Sequence, residues 1–112
     1  MEILVEQRGA VMVLSVSGSV DGVTSPVLAA RFHEEIAAGR VTLVGDLAGV
    51  DYMSSAGLRA LLETVKEARQ HGGDLRLAAV GPDVLRVLDL SGFTKILKLF
   101  GDAGAAASSF DA

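Results

Sequence analysis

Two apolar runs, Ile3 to Val5 and Val11 to Val16, flank Arg8-Gly9 at the start of the chain. A two-residue turn ending in glycine between such runs predicts a β-hairpin. Gly18-Ser19-Val20-Asp21-Gly22 reads as a loop by composition. Thr24-Ser25-Pro26 then predicts a helix start, a hydroxyl cap before proline at the first helical position. Leu28, Phe32 and Ile36 follow four residues apart and form an apolar stripe that Gly39 ends. Val41 to Val44 does not alternate, the pattern of a strand covered on both faces, and it stops at Asp46. Leu58, Leu61, Leu62, Val65 and Ala68 make the clearest helical stripe, with Arg59, Glu63, Lys66, Glu67 and Gln70 on the opposite side and Gly72-Gly73 at the end. Leu75 to Val80 predicts a last strand. Pro82 opens a helix carrying Val84, Leu85 and Leu88, and Gly92 stops it. Further apolar residues lie between Phe93 and Phe100, and the Ala-rich tail from Asp102 is at best weakly helical.

The resulting order, β-β-α-β-α-β-α, contains two strand–helix–strand crossovers. These require parallel strands joined by right-handed connections, while the hairpin adds one antiparallel strand. The expected fold is a single α/β domain over residues 1–112, a mixed, mostly parallel four-stranded sheet packed with amphipathic helices. Its core spans about residues 1–100, and residues 101–112 form a tail. Half the residues are apolar and only 4% aromatic, so the core is aliphatic and the chain is not of the disordered class. A net charge of −4 argues against nucleic acid as a partner. No cysteine is present, which excludes disulfides and thiolate chemistry. Met1-Glu2-Ile3 carries no signal-peptide pattern. The longest uncharged stretch, Gly9 to Val20, is well short of the ~20 residues that span a bilayer. A cytoplasmic protein without membrane insertion is expected.

Enzyme constellations fail on inspection. His33-Glu34-Glu35 opens like a zinc-protease helix, but the second histidine would fall on Ala37. His71 stands apart beside a helix-ending glycine pair. No glycine-rich phosphate loop occurs, and Met53 occupies the place where a nucleophile elbow around Ser55 needs glycine. No catalytic residue, metal site or cofactor is expected. One segment does stand out: Asp46-Leu47-Ala48-Gly49-Val50-Asp51-Tyr52-Met53-Ser54-Ser55-Ala56-Gly57-Leu58 joins a buried strand to the best helix. Helix capping explains one of its two serines and does not need both. The other hydroxyl would be exposed at the positive end of the helix dipole, where a phosphate would add roughly −1.5 to −2 charges. Asp46, Asp51 and Asp21 are expected nearby.

At this segment the sequence resembles the STAS domain of anti-sigma factor antagonists, in Asp46-Leu47 followed by Tyr52-Met53-Ser54-Ser55-Ala56-Gly57-Leu58. Three further stretches are similar to family motifs in the same order. They are Gly18-Ser19-Val20-Asp21 with Thr24, Gly72-Gly73-Asp74-Leu75-Arg76-Leu77, and Val84 through Ser91-Gly92-Phe93. The resemblance runs from about residue 1 to residue 100. It implies a partner switch, in which an anti-sigma factor that is also a GHKL-type serine kinase phosphorylates Ser55 and a PP2C-type phosphatase resets it. It also implies that the unphosphorylated protein captures the kinase and frees a sigma factor, with Asp21, Thr24, Ser54, Ser55, Ala56, Gly57 and Arg59 forming the partner surface. Asp21 as a plain turn former and Thr24 as a plain helix cap remain open. Two departures are notable. Ser54 stands where many members have aspartate, which makes it a second candidate acceptor, and Ala56 stands where many have serine. A second reading of the same fold is a non-phosphorylated subunit supporting the ATPase of a lipid-transport ABC system.

Overall fold

A computed structural model of the protein describes residues 1–111. The hairpin forms from β1 (Glu2–Arg8) and β2 (Val11–Val20). It is followed by α1 (Ser25–Ala37), β3 (Thr42–Met53), α2 (Ser55–Gln70), β4 (Asp74–Ala78) and α3 (Pro82–Leu90). A short 3₁₀ turn then leads to β5 (Lys98–Phe100) and α4 (Ala103–Ser108). The strands lie in the order β1-β2-β3-β4-β5, β1 antiparallel to β2 and every later pairing parallel.

The sheet therefore has five strands, not four. Lys98–Phe100 is too short to show a pattern of its own, and pairing with Arg76, Leu77 and Ala78 of β4 is what makes it a strand. The tail is also more ordered than its composition suggests. Asp102 caps α4 by accepting from the Ala105 N–H at 2.7 Å. The helix buries Ala106 against Val11, Val13, Val44 and Ala78 on the sheet face opposite the long helices. Alanine is a weak driver of burial alone, but its small side chain lets a helix lie close to a sheet of valines. The hairpin turn is Gly9-Ala10, one residue later than expected, with Gly9 at φ +61°. β2 and β3 also run on through the segments that look like loops. Val20 pairs with Met53, and two register irregularities intervene. Gly49 is needed there, because a Cβ on it would sit 2.8 Å from that of Ser17.

The main core lies between the sheet and helices α1, α2 and α3. Leu28, Phe32 and Ile36 enter it from α1, and Leu58, Leu61, Val65 and Ala68 from α2, as the spacing predicts. Leu62 is only half-buried at its margin. Two buried carboxylates are neutralised locally. Glu35 meets Arg31 at 3.2 Å and also Arg40, while Asp74 accepts from Arg69 Nε at 2.9 Å and Arg76 Nε at 3.1 Å. Leu61 is fully buried, so Leu61→Ala removes packed volume in a place that cannot collapse easily. A loss of about 2–5 kcal/mol is expected, read as a lower urea midpoint at unchanged slope.

Candidate functional site

The site is built where β2 and β3 end together. Pairing of Val20 with Met53 sets Asp21 and Ser54 side by side, and the Ser54 N–H donates to the Val20 carbonyl at 2.8 Å. Beyond this clasp the two chains diverge, one into α1 and the other directly into α2. Gly57, expected on the partner surface, is instead buried beneath the first turn of α2, and its lack of a side chain makes the closeness possible. A Cβ there would stand 2.9 Å from both Val20 Cγ1 and Met53 Cγ, so the first turn of α2 rests on the end of β2.

Asp21 and Thr24 form a reciprocal box. Asp21 Oδ1 accepts from the backbone N–H groups of Val23 and Thr24, both at 3.0 Å, while Thr24 Oγ1 accepts from the Asp21 N–H at 2.9 Å. The Thr24 hydroxyl proton points between the Ser19 carbonyl, at 3.0 Å, and Asp21 Oδ1, at 3.1 Å. Thr24 is the residue before α1, but its side chain makes no cap bond; it closes the loop instead. The Asp21 carboxylate thus makes the bonds of a turn former, to the N–H groups two and three residues on. Hydrogen bonds from the Thr24 and Val23 backbone and the Thr24 hydroxyl hold its carboxyl below the ordinary value of 3.8. A carboxyl with a depressed folded-state pKa stabilises the fold above its ordinary range and loses that contribution as pH falls through the folded pKa. The stability difference between the native protein and Asp21→Ala should thus be full near neutrality. Urea unfolding followed from pH 7 downward should show it shrinking only below the ordinary carboxylate range.

The two serines divide their roles. Ser54 is the cap of α2, extended at ψ 173°, and its Oγ accepts from the Gly57 N–H at 3.3 Å. Ser55 is the first helical residue and is exposed. It belongs to the first turn, whose N–H groups have no carbonyl partner within the helix. Arg59 lies four residues on, exposed on the same side of the helix. Ala56 and Arg59 line a groove of about 180 Å³ with Ser25, Pro26 and Ala29 of α1, so the first turns of both helices share one surface.

Asp46, expected nearby, is not part of this surface. It sits seven strand residues before Met53, paired with Ser15 and Ala78, and at ~3.3 Å per residue it is roughly 20 Å from the helix start. The extension of β3 displaces it. Asp51 does remain at this end, accepting from Ser19 Oγ at 3.1 Å. Two residues of the surface are not evident from the sequence. Val23 is 83% exposed beside Asp21, and Tyr52 is 55% exposed one residue before buried Met53. An apolar residue inside an otherwise polar loop was the available signal for Val23. Tyr52 follows from strand alternation once β3 is known to reach that far. Among the described residues no group of three His, Asp or Glu is placed to hold a metal ion, and no helix is long and apolar enough to cross a membrane.

Fold and site together define an α/β module that presents an exposed hydroxyl at a helix start beside a rigid acidic loop. The chain belongs to the STAS domain family, whose model matches residues 2–106. It is similar to BtrV of Bordetella bronchiseptica, a candidate anti-sigma factor antagonist, with 32% identity over 110 residues, 98% of this chain and 95% of that one. The crystal structure of an anti-sigma factor antagonist from Mycobacterium paratuberculosis is 32% identical, with a TM-score of 0.90 over 99% of this chain and 94% of that one. The Bacillus cell fate determinant SpoIIAA in its phosphorylated form shares the fold at 18% identity, with a TM-score of 0.77 over 97% of this chain and 99% of that one.

Proposed function

We propose that this protein is an anti-sigma factor antagonist acting in the cytoplasm. In this reading it binds an anti-sigma factor, itself a GHKL-type serine kinase, when Ser55 is unmodified, and is released when Ser55 is phosphorylated. A PP2C-type phosphatase returns it to the binding state. The observation that carries the reading is the division of labour at the start of α2. Ser54 makes the cap bond, which leaves the Ser55 hydroxyl exposed and free of structural duty. The relatives named as anti-sigma factor antagonists support the choice of partner, and the phosphorylated form of SpoIIAA, which shares the fold, supports the modification.

The mechanism is local electrostatics. The kinase transfers the γ-phosphoryl group of its ATP to Ser55 Oγ: the Oγ–P bond forms as the bond to the β-phosphate oxygen breaks, ADP leaves, and the hydroxyl proton passes to a base of the kinase. The new dianion is stabilised on the free protein by the helix dipole and by Arg59, one turn along on the same face. The fold is therefore undisturbed. A partner that docks over the Asp21–Thr24 loop, Ala56 and Arg59 must instead desolvate the dianion and face added negative charge beside Asp21 and Asp51. It also loses Arg59 as a free contact.

Capture from a lysate of the native host with the native protein, Ser55→Ala and Ser55→Asp, read by mass spectrometry, tests this reading. A GHKL-type kinase recovered with Ser55→Ala and lost with Ser55→Asp is expected. A transporter ATPase recovered equally by all three would replace it with the ABC-subunit reading, and Ser55 would then be an ordinary helix residue.

A further inference from the structure

The first strand ends the sheet with its outer edge open. β1 is seven residues long, contains no proline and pairs with β2 without a bulge, so none of the usual protections of an edge strand is built into its backbone. Which backbone groups face outward follows from the hairpin. The two-residue turn makes Arg8–Val11 the hydrogen-bonded pair that closes it, and bonded pairs alternate from there. Glu6, Leu4 and Glu2 therefore bond to β2, while Ile3, Val5 and Gln7 direct their N–H and carbonyl groups away from the sheet.

The side chains on this edge complement themselves. Glu2, Leu4, Glu6 and Arg8 occupy the face toward α4, and Ile3, Val5 and Gln7 the face toward the long helices. A second copy of β1, laid antiparallel about a two-fold axis through Val5, keeps these faces matched and sets Val5 against Val5. It sets Ile3 against Gln7, so the outward groups of each strand meet those of the other. On the opposite face, Glu2 of each copy then meets Arg8 of its partner, a guanidinium whose Nε already donates to Glu6 of its own strand and which keeps its other N–H groups for the second carboxylate, and the two Leu4 side chains, 63% exposed in the single chain, become diagonal neighbours. Sliding the pairing by two residues in one direction sets Glu2 against Glu6 twice, and in the other it sets Glu6 against Glu6. Charge selects one register. Beside the seam, on the helix side, Met1, Ile3, Pro26, Val27, Ala30 and Arg31 line an apolar groove of about 510 Å³, and this register places the partner's Gln7 at its Ile3 floor.

We infer that the partner of this edge is a second copy of the chain, and that two molecules join through β1 into one continuous ten-stranded sheet. The inference is independent of the phosphorylation reading, because the seam uses neither Ser55 nor the Asp21 loop. Sedimentation equilibrium over a rising concentration series tests it. The native mass should climb from the 11.6 kDa protomer toward twice that value. Glu2→Arg should weaken association by about tenfold through two like-charge contacts, and Glu2→Arg with Arg8→Glu should restore it. Val5→Pro removes an N–H that points out of the sheet and should also abolish the heavier species, with circular dichroism confirming that each variant is folded. A native protein that stays at the protomer mass throughout would overturn the inference. So would a dimer indifferent to Glu2→Arg, or one that the double exchange fails to restore.

Discussion

Gly73→Ala is expected to be the most damaging single-methyl change in the molecule. A Cβ at this position would stand on the Val41 carbonyl, 2.5 Å from its carbon and closer still to its oxygen. That carbonyl cannot step aside, because it accepts the Asp74 N–H at 3.0 Å at the start of β4, while the Gly73 N–H is held by the Ala68 carbonyl at 2.8 Å. Relief requires separating the end of α2 from the β3–β4 ladder. The expected cost is about 3 kcal/mol or more, a fall in melting temperature of roughly 10 °C or more. The neighbouring Gly72 is the control. It has φ +86° with open space around its Cα, so Gly72→Ala meets only the left-handed backbone penalty of about 1–2 kcal/mol. Thermal melts of the two variants should differ clearly, and equal melts would mean that Gly73 is not in close contact with Val41.

Ser55 is expected to carry the largest effect on binding. A phosphate there should weaken the complex with the kinase partner by about a hundredfold, since burying added like charge costs several kcal/mol. Ser55→Asp, with a single charge and a shorter reach, should weaken it by about tenfold. Ser55→Ala should bind as the native protein does and resist the kinase. Ser54→Ala should behave differently. It removes the cap bond to Gly57 and should cost about 1 kcal/mol of stability, while the protein remains a kinase substrate. Paired melting and titration experiments on these variants separate the cap from the switch.

Much of this was legible in the chain because the signals are local. The α2 stripe, the proline starts at Pro26 and Pro82 and the glycine stops report directly on helices, and each helix forms where they place it. What the sequence conceals is supplied by neighbours. The ends of β2 and β3, rich in glycine, serine and aspartate, become strands only because they pair with each other, and that pairing carries Asp46 away from the site. β5 exists because β4 offers it an edge, and α4 because the valines of β2 and β3 need covering. At the site, the Ser54-Ser55 pair and the Asp21–Thr24 spacing were visible as motifs. Which serine caps the helix was not, since both types and positions satisfy the capping preference. Only the backbone, with Ser54 extended and Ser55 helical, separates them.

The most direct test of the account is to phosphorylate the purified protein with its captured kinase partner, map the site, and titrate both forms against that partner. The phosphate should be found on Ser55, the modified protein should melt no lower than the unmodified one, and its affinity should fall by about a hundredfold. A phosphate on Ser54, or equal affinity of the two forms, would contradict it.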